Sequence, residues 1–382
     1  MSTIVRYFDH AATTAVKEEV LNEMLPYFVQ NYGNASSLYS VGRKSKKALD
    51  EARIKVANVL NCNPKEIYFT SCGSESNNLA IKGFAYANKN LGTHIITSKI
   101  EHPSVLNTCK KLEEQGYRVT YLNVDKDGLI DLKELEDSIT SSTILITIMI
   151  ANNEIGTIQP IYEIAKIAKK HNIRFHTDAV QAAGTIKIDV QEMGIDMLSL
   201  SAHKFYGPKG MGALYVKNDI NFEKIQDGGH QEKDKRAGTE NIAGIVGLGK
   251  ALELANNNIE SYTNKMLDLR EYYISEITKT IPNVKLNGHF ERRLPGNANM
   301  SFVGVDAEGL LLKLDERGIC ASAGSACSSG SALPSHVLMA IGLDEKLAGS
   351  SLRITFGDEN TIEDVKYLIN SIKEIVEELR ML

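Results

Sequence analysis

Between Ile67 and Val216 the chain alternates short apolar runs with stretches of helical periodicity, and this alternation limits the possible fold more than any other feature. Ile67-Tyr68-Phe69-Thr70 reads as a strand and leads into a helix over about 74–87. Residues 94–97 read as a strand, 103–115 as a helix and 118–122 as the next strand. The run 143–150 is continuously apolar, as suits a strand buried on both faces. Ile161, Ile164, Ala165 and Ala168 share one helix face, and strands follow over 173–177, 195–201 and 213–216. Repeated strand–helix units predict an α/β fold with a large, mainly parallel sheet flanked by helices. Past about Leu254 the pattern changes. A helix over 259–279, short strands over 284–286, 299–302 and 352–356, and helices over 307–317 and 362–380 predict a smaller α+β domain.

In such sheets ligands sit at the carboxyl ends of the strands. Asp178 follows one strand-like run and Lys204 follows another, within Ser201-Ala202-His203-Lys204. Gln181 completes an Asp-x-x-Gln pair. An amine at one strand end and a carboxylate at another is what pyridoxal 5'-phosphate (PLP) needs. The lysine joins the aldehyde as an imine, and the carboxylate keeps the pyridine nitrogen protonated so that the ring can take up electrons.

Cys72-Gly73-Ser74-Glu75 bridges a strand and a helix start. Backbone N–H groups there, with the helix dipole, can hold phosphate; Gly73 permits close approach and Ser74 supplies an oxygen. An ordinary helix N-cap is the plainer alternative. His102, in Glu101-His102-Pro103, also follows a strand. Its ring could stack on a pyridine and shuttle protons, although a lone histidine is more often structural. Asn152 and Asn153 end the buried run, as functional amides or as a polar turn.

The net charge of −5 gives no basic surplus to attract nucleic acid or an anionic membrane. Met1-Ser2-Thr3-Ile4-Val5-Arg6 lacks a signal-peptide layout, and no apolar run is long enough to span a bilayer, so a cytoplasmic protein is expected. Five scattered cysteines argue against a disulfide framework, and none lies in C-x-x-C zinc spacing. Cys62, Cys109 and Cys320 read as small buried residues. Cys327 differs. Residues 318–331 are small and polar and lack the apolar spacing of a packed element, so Cys327 is expected to be exposed and mobile, as a travelling nucleophile must be.

At these residues the chain resembles the cysteine desulfurases of the NifS/IscS type, within the class V aminotransferases of PLP fold type I. The resemblance runs from Tyr7-Phe8-Asp9-His10-Ala11-Ala12-Thr13-Thr14 to at least Ser351-Leu352-Arg353. It includes Asn152-Asn153-Glu154-Ile155-Gly156, Arg236-Ala237-Gly238-Thr239-Glu240-Asn241 and Gly324-Ser325-Ala326-Cys327-Ser328-Ser329. Gly-Ser-Ala-Cys resembles the group with the long cysteine loop.

The resemblance implies removal of sulfur from L-cysteine, giving L-alanine and a persulfide on Cys327. It places the PLP lysine on Lys204 and the phosphate ligands on Gly73, Ser74, Ser201 and His203. Thr239 would reach the phosphate held by the neighbouring subunit of a homodimer. Asp178 would hold the pyridine nitrogen, Gln181 the ring hydroxyl, and His102 would stack on the ring. Asn153 would contact cofactor or substrate, and Arg353 would clamp the substrate carboxylate, assisted by Asn34. No metal is implied. The persulfide would pass to a sulfur-acceptor protein, such as an iron–sulfur scaffold or a tRNA-thiolation enzyme. The expected domains are 15–255, binding PLP, and 1–14 with 256–382, carrying a cysteine loop over about 318–332. Ala35, Tyr39 and Cys72 depart from the family pattern. Another PLP lyase or transaminase, which would not need Cys327, is one alternative; a non-catalytic sulfur-carrier or assembly partner is another. A nicotinamide site fails, because Gly247-Leu248-Gly249 lies inside a helical stretch.

Overall fold

A computed structural model describes residues 5–324 and 334–381. Its strands in chain order are β1 (Arg6–Tyr7), β2 (Ile67–Thr70), β3 (His94–Ser98), β4 (Arg118–Leu122), β5 (Thr143–Thr147), β6 (Arg174–Asp178), β7 (Met197–Ser201), β8 (Gly212–Val216), β9 (Val284–Leu286), β10 (Asn297–Phe302), β11 (Ile319–Cys320) and β12 (Ser351–Thr355). A seven-stranded sheet has the order β2-β8-β7-β6-β5-β3-β4. The pairs β3–β4, β3–β5, β5–β6 and β6–β7 are parallel, whereas β8 is antiparallel to β2 and β7.

Successive strand residues point to opposite faces, so a sheet covered on both sides favours apolar residues at consecutive positions. Ile95, Leu145, Met197 and Leu214 face the helices Gly73–Ala87 and Pro103–Glu113. Their neighbours Ile96, Ile146, Leu198 and Ala213 face the helices Ser40–Leu60, Ile161–Lys170 and Ile242–Asn257. Ile161, Ile164, Ala165 and Ala168 form the buried stripe of their helix, as the periodicity predicts. The helix Ser40–Leu60 is not expected from the sequence; its buried face includes Ala48, Leu49, Ala52, Val56 and Ala57 among exposed lysines. The helix stops where Asn61 turns left-handed, φ 55°, and its N–H returns to Ala57 and Asn58. The run 143–150 is not one strand. β5 ends at Thr147, and the N–H groups of Ile148 and Ile150 bond to His176 and Asp178 carbonyls beside it.

A second, antiparallel sheet, β12-β10-β9, packs Met300, Phe302, Leu352 and Ile354 against the helices Ile259–Thr280, Ala307–Glu316 and Ile362–Leu379. β1 and β11 pair in parallel beside it. Among the described residues no helix is long and apolar enough to cross a membrane.

One turn is held in a costly conformation. Glu232, Lys233 and Asp234 have φ of 45°, 58° and 63°, which non-glycine residues rarely adopt. The Glu232 carboxylate holds it down. It accepts from Arg53 Nη1 at 2.8 Å, Arg53 Nη2 at 2.6 Å and the Phe69 N–H at 2.8 Å, all buried. Glu232→Ala leaves a buried guanidinium uncompensated and should cost roughly 3–5 kcal/mol. The measurement is the urea-unfolding midpoint; a midpoint equal to wild type would show that the pair does not hold this turn.

Candidate active site

β8 is antiparallel to both of its neighbours, so β2 runs in the same direction as β7. The carboxyl ends of β2, β3, β5, β6 and β7 therefore collect at one edge of the sheet. Just beyond them lie Gly73, His102, Asn153, Asp178 and Lys204, which line one cavity of about 190 Å³. Gln181, Ser74, Ser201, His203 and Arg353 line the same cavity.

Lys204 sits in a single 3₁₀ turn directly after β7. Its Nζ donates to the carbonyls of Ala11 and Ala12, the latter at 2.7 Å, and Gln181 Nε2 donates to the Ala11 carbonyl at 3.0 Å. The amino-terminal segment thus forms one wall. Its Thr14 N–H donates to the His203 carbonyl at 3.0 Å and Thr14 Oγ1 accepts from the Tyr206 N–H at 2.8 Å. On its other side, the Ala11 N–H reaches Thr355 Oγ1 at 2.9 Å, and Asp9 bridges to Thr355 of β12.

Asp178, the last residue of β6, is 6% exposed. Its Oδ1 accepts from the Val180 N–H at 2.9 Å and its Oδ2 from Asn77 Nδ2 at 2.7 Å. Asn77 Nδ2 also donates to Ser104 Oγ at 2.9 Å, and Ser104 Oγ lies 2.8 Å from His102 Nδ1. The Ser104 backbone N–H donates to the same Nδ1 at 3.1 Å. A backbone N–H can only donate, so Nδ1 is an acceptor and the neutral ring carries its proton on Nε2. Burial depresses the His102 pKa, opposed by the Asp178 charge and assisted by Lys204 and His336. His102 therefore rests as a neutral Nε2–H donor.

The helix Gly73–Ala87 opens onto the cavity at its amino end, and the Cys72 side chain caps none of its N–H groups. A Cβ on Gly73 would lie 2.6 Å from Val180 Cγ2, so only glycine lets the helix approach this closely. Uncapped amides and the positive end of the dipole suit an anion. Burial, then the Lys204 and Lys209 charges, bring the His203 pKa down to about 4, so that ring is neutral. Cys72 lines the cavity beside this cradle, with Ser71 Oγ 3.7 Å from its Sγ.

Arg353, on β12, is 1% exposed at its side chain. Nη2 meets Asp9 Oδ1 at 2.7 Å and Nη1 donates to the Asn153 carbonyl at 3.1 Å. Its buried Nε finds no acceptor among the described residues. Asn153 lines the cavity, while Asn152 is structural: its Oδ1 accepts from the Glu154 and Ile155 N–H groups and its Nδ2 donates to the Ile100 carbonyl.

Asn34 and Thr239 are exposed and do not line this cavity. Cys327 lies outside the described residues. Cys109 is buried; Cys62 and Cys320 are only partly so, and burial raises all three thiol pKa values, Cys62 to about 12. Asp9, Ala11 and Ala12 stand in the motif that carries the resemblance but without a role assigned from sequence, and Asn77 and Ser104 are not singled out there. Asn77 carried a usable signal, because it stands one helical turn after Gly73 and so shares the face that meets the cavity.

The model of the aminotransferase class-V family matches residues 6–368. Cysteine desulfurase IscS of Clostridium botulinum (strain Hall) is 54% identical over 376 residues, covering 98% of this chain and 95% of the relative. A solved NifS-like protein has a TM-score of 0.93 at 37% identity, covering 98% of this chain and 100% of that one. The structure of SspA in complex with cysteine has a TM-score of 0.83 at 41% identity, covering 92% and 98%.

Behind the cavity Glu101 is fully buried, accepting from Ser98 Oγ at 2.7 Å and the Met149 N–H at 3.1 Å. Burial pushes its carboxyl up to about 8 from the ordinary 4.5; those hydrogen bonds oppose the shift and the Asp178 charge adds to it. The folded chain thus keeps a proton that the unfolded chain releases. This contribution to stability is complete below about 4.5 and is lost as pH rises through about 8. Glu101→Gln has no such proton. Between pH 5 and 8 wild type should lose stability relative to this variant, on the order of a few kcal/mol. Parallel urea-unfolding profiles of the two across that range would sink the assignment.

Proposed function

The chain belongs to the class-V aminotransferase family and is a cysteine desulfurase, and from that premise we propose that it uses PLP at this cavity to take sulfur from free L-cysteine onto Cys327. One observation carries the reading. The Lys204 amine, the Asp178 carboxylate, an uncapped helix N-terminus and the Arg353 guanidinium line a single cavity. SspA, a similar structure, is complexed with cysteine, which supports that substrate.

The residues suit the cofactor. The free amides at Gly73 and Ser74, with Ser201 and His203, would hold the phosphate. Asp178 would pair with the ring nitrogen, Gln181 with the ring hydroxyl, and His102 would stack on the ring. PLP supplies an aldehyde that joins amines and a ring that draws electrons from the α-carbon of a bound amino acid. Lys204 supplies the amine and then accepts the α-proton. Arg353, with Asn153, binds the substrate carboxylate; Asn34, implied by the resemblance, stands outside this cavity in its own chain. The Cys327 thiolate attacks the substrate sulfur, an S–S bond forms and the C–S bond breaks. The bonding pair stays with the three-carbon fragment, which is protonated and leaves as alanine. His102, a neutral Nε2–H donor, is placed to give a proton in that exchange.

In this reading residues 15–255 bind PLP, while 1–14 and 256–382 carry the cysteine loop. The protein works in the cytoplasm as a homodimer and passes its persulfide sulfur to an acceptor protein, an iron–sulfur scaffold or a tRNA-thiolation enzyme, without touching nucleic acid or membrane. Thr239 completes the phosphate site of the neighbouring subunit.

Two experiments test this. Cys327→Ala should keep bound PLP, fixed to Lys204 by borohydride in a peptide map, and lose at least roughly a hundredfold in alanine and sulfide release. Lys204→Ala should lose both. Full turnover by Cys327→Ala, or wild-type persulfide found mainly on another cysteine, would overturn the sulfur chemistry and leave the cofactor site standing. In the second, Lys204→Ala and Thr239→Ala subunits are mixed after dissociation. One complete site per hybrid dimer should restore turnover toward a quarter of wild type, from random pairing. No recovery beyond the sum of the parents would place Thr239 outside the partner's site.

A further inference from the structure

We propose that Asp9 is a positioning residue for the substrate carboxylate, holding the Arg353 guanidinium in the pose that selects amino acids over amines lacking a carboxylate. The inference rests on Arg353 as the carboxylate clamp. The two residues are far apart in sequence, and their pairing is built into the backbone. Asp9 bridges to Thr355, two residues beyond Arg353 on β12, and the Thr355 N–H donates to the Phe8 carbonyl at 2.8 Å. The Tyr7 hydroxyl donates to the Asp9 carbonyl at 3.0 Å. The Asp9 carboxylate therefore sits on a fixed segment, with its side chain 14% exposed.

The guanidinium is held from two sides. Asp9 Oδ1 takes Nη2 at 2.7 Å and the Asn153 carbonyl takes Nη1 at 3.1 Å. Two contacts on a planar group fix its plane. The Nε–H is among the donors that remain, buried and without an acceptor among the described residues, on a side chain that lines the cavity. An unmet buried donor is costly unless a ligand meets it. A carboxylate is the ligand that a guanidinium edge matches, and Asp9 and the Asn153 carbonyl each engage one guanidinium nitrogen that carries two hydrogens. Asp9 also compensates the buried cation before substrate arrives, so that Arg353 keeps its pose in the free enzyme.

The test uses the holoenzyme with L-cysteine as substrate and cysteamine as competitor; cysteamine has the same amine and thiol but no carboxylate. Asp9→Ala should raise KM for cysteine about tenfold, lower kcat less than threefold and leave the inhibition constant of cysteamine unchanged. Asp9→Asn, which keeps an acceptor oxygen, should recover most of the KM. Should the Ala variant not fold, Asp9→Glu, which displaces the charge, should show the same selective rise. A cysteine KM that stays put, or one that rises together with the cysteamine constant, would overturn the role of Asp9. Arg353→Ala separates the two claims. If it spares the cysteine KM, the clamp reading itself fails; if it raises KM while the Asp9 variants do not, only the Asp9 inference fails.

Discussion

Covering both faces of the large sheet is the constraint on which the remaining structure depends. Apolar residues at consecutive positions, such as Ile95-Ile96 and Leu145-Ile146, demand helices on each side. Helical crossovers bring strands back in the same direction, and same-direction strands deliver their carboxyl ends to one edge. β2 joins that edge only because β8 intervenes as an antiparallel strand. Five segments then supply an amine, a carboxylate, an imidazole, an amide and a helix N-terminus to a common space. None of these groups is near another in sequence, and none needs a strained backbone to arrive there.

The electrostatics of that edge follow from burial. Asp178 and Arg353 are almost fully removed from solvent; Asp178 accepts hydrogen bonds from fixed donors and Arg353 donates to fixed acceptors. His102 is kept neutral by the same dry surroundings, and Ser104 decides which of its nitrogens bears the proton. Asn77 joins the two halves, reaching Asp178 and Ser104 with one amide nitrogen. Such a network fixes orientation at low reorganisation cost, because its members are already aligned.

The large sheet was legible in the sequence because two-sided burial writes uninterrupted apolar runs. Lys204 and Asp178 were legible because reactive side chains stood where such runs stop. The helix Ser40–Leu60 was not, because its buried face mixes small and polar residues such as Gly42, Ser45 and Arg53 with few large apolar ones, and its lysines dominate the pattern. Nor could the end of β5 be read, since Ile148 and Ile150 stay buried after the strand has stopped. The partners of the site residues lay further out of reach. Ala11 and Ala12 act through backbone carbonyls, which no side-chain pattern records. Asp9 meets Arg353 only through the pairing of segments at opposite ends of the chain.

That last pairing also orders events in time. The segment around Asp9–Thr14 is synthesised before the large sheet, yet its hydrogen-bonding partners are His203, Lys204 and Tyr206 on one side and Thr355 on the other. Contacts so distant in sequence carry the largest loop-closure cost and form late. The large sheet can assemble during synthesis, but the wall that receives the Lys204 amine stays open until β12 has been made. A nascent or truncated chain ending before Thr355 therefore carries its reactive lysine beside a wall fastened on one side only, so the site closes after the large sheet has formed.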